Sequence, residues 1–480
     1  MRPPSAPKMR DHGTASVQLR VSATGGGMVR YKSLRLLAAL GVSLGFALGV
    51  QGGCQAQVLS TGNAMPTNAG GIDPNSADTN SIDSGSFDRG QNISVRQEPR
   101  PDYQAEGILA GGFMIYPKLS LAVAYDDNIY ALQSGAVGDT IFTQIPEIDI
   151  QSTWARNSLS AYVKAQQDEF VSYGSEDATQ YGAGLAGKYQ FGDSQLIGGV
   201  DYAHDILPRS ASNNVGLSVH PIQYDYTTLS GEFESTFTRV RLSVRADDQI
   251  YDFQNGETAD GSTVDENQYN RSVLTVTGKA ELAVSPDAAA YVVASGNSRN
   301  YEYGVPGEDY SLNNSGYEVD VGANFDLTHL VRGELQLGYL NQTYDASSVY
   351  KPINGPSAKV QVQWFPTQMT TVTVVGQRAV GDAGVPGSAG FLLSDGSVQI
   401  DHELLRNVIL TAQGSYATDQ YNGIDRTDDL ASAGFSANWL LTRHVGLTLA
   451  YTHTNQSSSG AQKGLSFDDN RLMLSANLQY

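Results

Sequence analysis

The chain has 480 residues, only 17% of them charged, with 51 Gly and 26 Tyr, a balance that favours sheet and tight turns over a helical core. Of its 30 Lys/Arg and 50 Asp/Glu, residues 1–56 hold 7 and 1, which leaves 23 and 49 for residues 57–480 and a net charge of −26 there. A surface that acidic excludes recognition of nucleic acid through its phosphates.

In chain order, the basic stretch around Arg30, Lys32 and Arg35 leads into the mostly apolar Leu36 to Val50, followed by Cys54-Gln55-Ala56. This order predicts a secretory signal peptide over residues 1–56, cleaved after Ala56, with Met28 as an alternative start. The apolar run is too short for a transmembrane helix. Cys54 is the only cysteine and leaves with the signal, so the mature chain forms no disulfide. Acylation of Cys54 is disfavoured, because Gln51 stands where a lipoprotein signal needs an aliphatic residue. Residues 57–107 are rich in Asn, Asp, Ser, Gly and Pro and show no apolar period, which predicts a disordered acidic periplasmic arm. A plug is the lesser alternative, since bulky apolar residues are scarce there.

From about Leu109 onward strands dominate. Short turns are expected at Ala155 to Asn157, Gly192 to Ser194, Phe237 to Arg239, Ser285 to Ala288, Leu327 to His329, Pro366 to Gln368, Leu405 to Asn407 and Thr442 to His444. Long polar segments separate them, among them Pro208 to His220, Asn255 to Asn267, Tyr303 to Leu312, Gly381 to Gly390 and Asn455 to Phe467. The alternation predicts an all-β fold over residues 108–480: a transmembrane antiparallel up-and-down β-barrel with short turns and both mature termini in the periplasm. Eight short turns with a free strand at each end give 18 strands. The count falls to 16 if two poorly patterned ones, about Thr140 to Trp154 and about Gly390 to Glu403, are not strands. None of the loops is clearly long enough to fold inward and narrow a pore.

The last strand is the clearest. Leu472, Leu474, Ala476, Leu478 and Tyr480 fall on one face, and Arg471, Ser475, Asn477 and Gln479 on the other, with Met473 the exception. Such an ending, with an aromatic last residue, resembles the signal by which Gram-negative bacteria insert outer-membrane barrels, making Leu474, Leu478 and Tyr480 candidate assembly determinants; Phe is the commoner last residue. A soluble sandwich also alternates, so tryptophan placement separates the two. Trp154, Trp364 and Trp439 all lie just before short turns on apolar faces, as a membrane-interface girdle requires.

Three constellations could carry chemistry. Glu232 and Glu234 on the sixth strand face Arg239, Arg241 and Arg245 on the seventh across a short turn, predicting a lumen charge strip that stiffens the wall or tunes passage. Asp126 and Asp127 at the end of the first strand and Asp468 and Asp469 at the start of the last would meet at the outer rim. They could hold a divalent cation, shared with lipopolysaccharide, or simply form a hydrated acidic edge. Gly192-Asp193-Ser194 has the look of a nucleophile block but lies in a turn without evident partners. His204, His220, His329, His402, His444 and His453 show no metal-ligand spacing, and no phosphate loop or dinucleotide fingerprint is present.

Tyr116-Pro117 and Leu119 to Tyr130, with Tyr125-Asp126-Asp127-Asn128 within it, resemble the opening strand of the putative β-barrel porin 2 family, and the hairpin spacing over residues 110–480 is also similar. The resemblance implies an outer-membrane barrel often encoded beside exopolysaccharide synthesis and export genes. The expected function is therefore an outer-membrane channel for an extracellular polysaccharide or its precursors, without catalytic residues or cofactor. A general diffusion porin is the alternative within the class, and an outer-membrane enzyme or an adhesive surface barrel the alternatives outside it. Expected partners are outer-membrane lipids, lipopolysaccharide, the barrel-assembly machinery and exopolysaccharide export components.

Overall fold

The structure, a computed structural model, describes residues 89, 90, 92–211, 218–327, 330–385 and 387–480. The signal peptide and most of the arm, residues 57–88 and 91, lie outside these. Eighteen long strands follow in chain order: β1 Phe113–Asp126, β2 Asp139–Ser152, β3 Ser158–Phe170, β4 Ala178–Phe191, β5 Ser194–Ile206, β6 Gln223–Phe237, β7 Val240–Phe253, β8 Arg271–Ser285 and β9 Ala288–Tyr301. The second half continues with β10 Asn314–Leu327, β11 Val331–Tyr344, β12 Ile353–Thr367, β13 Thr370–Gly381, β14 Gly390–Leu405, β15 Val408–Asn422, β16 Thr427–Leu440, β17 Val445–Ser459 and β18 Phe467–Gln479.

Each strand pairs antiparallel with the next, and β18 pairs with β1 from Lys118↔Gln479 to Asp126↔Arg471. The sheet therefore closes into a barrel of eighteen strands, and the two weakly patterned ones, β2 and β14, are full members. All eight short connections fall where the turn residues place them; Thr328 and His329, inside the one between β10 and β11, lie outside the described residues. β18 stops short of the start of β1. There a three-residue piece, Ile108–Ala110, folds back on Phe113 to Ile115 and satisfies the edge. The tight reversal between them uses Gly111 at φ +62°, where glycine meets no Cβ penalty.

Alternation sorts the two faces. Leu121, Val163, Leu185, Val244, Val276 and Val321 are exposed on the outside, whereas Glu281, Asp320, Asn324, Arg332, Gln363 and Asp401 are buried on the inside. Exposed apolar and buried charged residues invert the order of a water-soluble sheet and suit a wall between lipid and a polar lumen. Trp154, Trp364 and Trp439 are half-exposed at the short-turn end, Trp154 just beyond β2. Tyr125, Tyr181, Tyr202, Tyr317, Tyr339 and Tyr416 form a matching exposed band in the long-loop halves of their strands. On β18, Leu472, Leu474 and Leu478 face outward with Tyr480, whose ring stacks on His444 at 5.5 Å.

Candidate functional site: the lumen

The tight turn Thr238-Arg239 fixes the register of β6 against β7 so that Glu232 stands opposite Arg245. Arg245 Nη1 lies 3.6 Å from Glu232 Oε2, and Arg241 Nη1 4.0 Å from Glu234 Oε2. The strip runs further than two strands. Arg241 also pairs closely with Glu281 of β8, and Lys279 Nζ reaches Glu281 at 3.7 Å and Glu334 of β11 at 3.3 Å. Asn324 of β10 donates to the other Glu281 oxygen at 2.7 Å. Arg239 does not join the ladder: it is exposed in the turn, and its carbonyl accepts from Ala283 N at 2.8 Å.

Towards the long-loop end the lumen is narrowed from one side. Tyr251, Phe253, Tyr301, Tyr344, Tyr350 and Val380 are buried in one cluster, built from β7, β9, β11 and β13 and the loop after β11. The loop after β13 turns inward with it, burying Asp382, Ala383, Val385, Ser388 and Ala389. Asp382 accepts from Arg271 Nε of β8 at 3.1 Å and from Arg299 Nη1 of β9 at 2.8 Å. All three side chains are almost fully buried. The Arg271 guanidinium lies 4.4 Å from the Tyr251 ring centroid. Length had argued that no loop narrows the lumen; Asp382 ties this one to β8 and β9, on the far side of β10 to β12.

Towards the short-turn end the lumen holds residues 92–100 of the stretch expected to form a disordered arm, and beyond them Tyr103 O accepts from Gln479 Nε2 at 3.1 Å and Glu106 pairs with Arg443 at the rim. Asn92 Nδ2 donates to Asp326 Oδ1 at 2.5 Å, and Val95 N to Thr371 Oγ1 at 2.9 Å. Arg96 Nε donates to Asp401 Oδ1 at 2.9 Å. Arg100 pairs closely with Glu403 and donates to the carbonyls of Val95, Glu98 and Arg406 at 2.9, 3.0 and 3.1 Å. In return Arg332 Nη1 donates to Asn92 O at 2.9 Å, and Arg406 Nη1 to Glu98 Oε1 at 3.2 Å. These partners lie on β10, β11, β13, β14 and the turn after it. The segment docks through arginines on wall carboxylates, so its poverty in bulky apolar residues is no obstacle.

The rim triplets meet as their places on β1 and β18 require, but as a suture. Asp127 accepts from Asn470 N and Nδ2, both at 2.8 Å, and Asn128 Nδ2 donates to Asp468 O at 2.8 Å. Asp468 Oδ1 accepts from Asn455 Nδ2 at 2.8 Å, and Asp126 Oδ1 from Asn128 N at 2.9 Å. Among the described residues no group of three or more His, Cys, Asp or Glu is arranged to hold a metal ion. Amide donors meet three of these carboxylates, Asp126, Asp127 and Asp468. Gly192-Asp193-Ser194 ends at a hydroxyl pair, Ser194 Oγ and Ser235 Oγ at 2.8 Å, and a turn it remains.

Sequence reasoning missed Arg271, Arg299 and Asp382, and the pairing of Arg96 and Arg100 with Asp401 and Glu403.

A closed barrel with an apolar belt, aromatic bands and a polar lumen is a membrane-spanning barrel of the porin type. The chain belongs to the putative β-barrel porin 2 family, whose model matches residues 100–480, and it is an outer-membrane β-barrel. Solved structures similar to it include the outer membrane protein OpdK from Pseudomonas aeruginosa, 11% identical, covering 76% of this chain and 99% of that one with a TM-score of 0.40. Others are OccK2 (OpdF) of the same organism, at 12%, 78%, 99% and 0.42, and OccAB3 of Acinetobacter baumannii, at 11%, 76%, 99% and 0.41. No curated protein matches the chain.

Proposed function

We infer that the protein is an outer-membrane channel that passes an extracellular polysaccharide or its precursors, with its short turns and both mature termini in the periplasm. The observation that carries the channel reading is the lumen itself. An eighteen-stranded closed wall leaves a water-filled interior, and this one is lined with paired charges, amides and hydroxyls in place of an apolar core. No step in such passage calls for a catalytic group or a cofactor. Residues 92–100 occupy the short-turn half beside β10 to β14, and the loop after β13 the long-loop half, so passage follows the remaining arc of wall. The polysaccharide is supported by the family resemblance and by a lumen rich in groups that bind hydroxyls.

Purified protein in planar bilayers tests the first part: a barrel that never conducts sinks the channel. Deleting the gene and measuring secreted polysaccharide tests the second, and unchanged secretion leaves a general diffusion porin. That second reading has its own support, since the loop after β13 turns into the lumen as porin constrictions do. The charge strip from Glu232 to Arg245 would tune the passing solute, Trp154, Trp364 and Trp439 would anchor the barrel at the interface, and Leu474, Leu478 and Tyr480 would direct assembly. Truncation of Leu478 to Tyr480 lowers outer-membrane levels on this reading, and normal levels count against it.

A further inference from the structure

The wall from β2 to β6 carries a recess. Along β4 the inward positions include Gly182, Gly184 and Ala186, and β5 adds Gly199. Glycine inside a strand weakens it and marks a place where another group comes close. At Gly184 the group is identifiable. A Cβ there would stand 2.4 Å from Tyr162 Cε1 and 2.5 Å from Asp201 Oδ2. Its absence lets the Tyr162 ring lie across β4 and donate its hydroxyl to Asp201 Oδ2 at 2.5 Å. A Cβ at Gly199 would stand 3.1 Å from Ser230 Oγ. The small side chains leave a recess of about 320 Å³ in the wall.

Its chemistry is selective. Asp149 and Asp201 supply carboxylate acceptors, Gln151 an amide, and Ser160, Thr228 and Ser230 hydroxyls. The cation that reaches it, Lys118, lies 2.5 Å from Asp149 Oδ2 and 3.0 Å from Glu147 Oε1, so its charge is already matched. Two carboxylates with no uncommitted cation in the lining repel an anion. Carboxylates, an amide and hydroxyls beside one aromatic ring suit a molecule with many hydroxyl donors and one apolar face. The volume is at the small end for ligand pockets, roughly 300–1,000 Å³.

We propose that this recess is a binding subsite for a neutral sugar residue, a pyranose whose C–H face lies on Tyr162 and whose hydroxyls donate to Asp149 and Asp201. The proposal rests on the channel reading and names the class of solute that the arc holds as it passes. A weak subsite on the open side of the lumen keeps a polymer in single file against the wall, away from residues 92–100.

The test is current interruption by added sugars through the purified full-length barrel in planar bilayers, with maltohexaose as the neutral probe and hexagalacturonate as its anionic counterpart. Maltohexaose should bind the wild type more tightly than hexagalacturonate. Tyr162→Ala should weaken maltohexaose binding about tenfold, or some 1.4 kcal/mol, while Tyr162→Phe keeps most of it. A heat-dependent shift on gels reports folding. If Tyr162→Ala fails to fold, Asp201→Asn supplies the comparison, keeping the ring and losing an acceptor charge. Equal maltohexaose binding in wild type and variant, tighter binding of the anionic probe, or no binding to a conducting channel overturns the subsite. A barrel that does not conduct overturns the channel reading instead, a different result.

Discussion

Arg100→Ala is the sharpest perturbation of the docked segment. The Arg100 side chain is 5% exposed and Glu403 12%, so their pair is largely shielded from water. Besides Glu403, the guanidinium holds three carbonyl oxygens, those of Val95, Glu98 and Arg406. Removing one partner of a buried pair costs about 3–5 kcal/mol, because the other charge is left behind. Arg406 Nη1, 3.5 Å from Glu403 Oε1, takes up part of that charge, so the lower end applies. A loss of about 3 kcal/mol raises the undocked population of residues 92–100 roughly a hundredfold. Arg96→Ala is the graded control: Arg96 is 41% exposed, and the buried Asp401 keeps hydrogen bonds from Thr411 and Gln399, so the loss is about 1 kcal/mol. Two readouts serve. Single-channel conductance rises as the segment leaves the lumen, and proteinase K cleavage within 92–100 accelerates with the undocked population when reclosing is fast. Both should rise strongly in Arg100→Ala and only slightly in Arg96→Ala. Equal values in Arg100→Ala and wild type would refute the docking argument, and equal effects of the two substitutions would refute its dependence on burial.

Asp382→Ala leaves Arg271 and Arg299 buried without their shared carboxylate, a cost of about 3–5 kcal/mol; the loop after β13 should swing out, with higher conductance and a lower melting temperature. Asp127→Ala removes two hydrogen bonds across the β1–β18 seam. At about 1.5–3 kcal/mol for a bond to a charged group, the folded band on unheated gels should be lost at a lower temperature, and an unchanged transition would show that the suture is dispensable. Burial in the loop after β7, helped by Asp265, pushes the Glu266 carboxyl up to about 7. A carboxyl raised in the folded state favours order fully below its unfolded value and loses that contribution as pH rises through 7. Protection in residues 254–270, after correction for the intrinsic exchange rate at each pH, should therefore be greater at pH 5 than at pH 8, and Glu266→Gln should abolish the difference; the same corrected pH dependence in the variant would reassign it to another group.

The wall was readable because lipid and water impose a period of two on every strand. Leu472, Leu474 and Leu478 against Arg471, Ser475 and Asn477 announce it, and the structure places the two rows as they read. The short turns were readable because they leave the register no freedom. Once Thr238 and Arg239 join β6 to β7, Glu232 must stand opposite Arg245. β2 and β14 hid because their alternation is broken on the outward side, by Thr140, Gln144 and Pro146 in β2 and Ser394 in β14. Neighbouring strands on both sides supply the pairing that their own pattern does not.

What stayed hidden is what fills the lumen, and the physical reason is separation along the chain. Arg100 and Glu403 are 303 residues apart, and Arg271 and Asp382 111 apart. No local period connects such pairs, and each member alone reads as a solvated charge. Arg96 and Arg100, isolated in a polar stretch, look like the surface of an unfolded arm, because the segment lacks the apolar residues by which folding is usually recognised. Inside a water-filled barrel that criterion does not apply. The wall there offers carboxylates, and a segment docks on it by charge and backbone hydrogen bonds rather than by a hydrophobic face. The same reasoning separates the two arcs of the lumen. Between β8 and β14 the inward charges find partners across the barrel, and the interior fills. Along β4 and β5 the inward Gly182, Gly184, Ala186 and Gly199 are too short to reach across, and the wall there keeps its recess. A channel needs that asymmetry, since a lumen lined by arginines and carboxylates on all sides would close on itself.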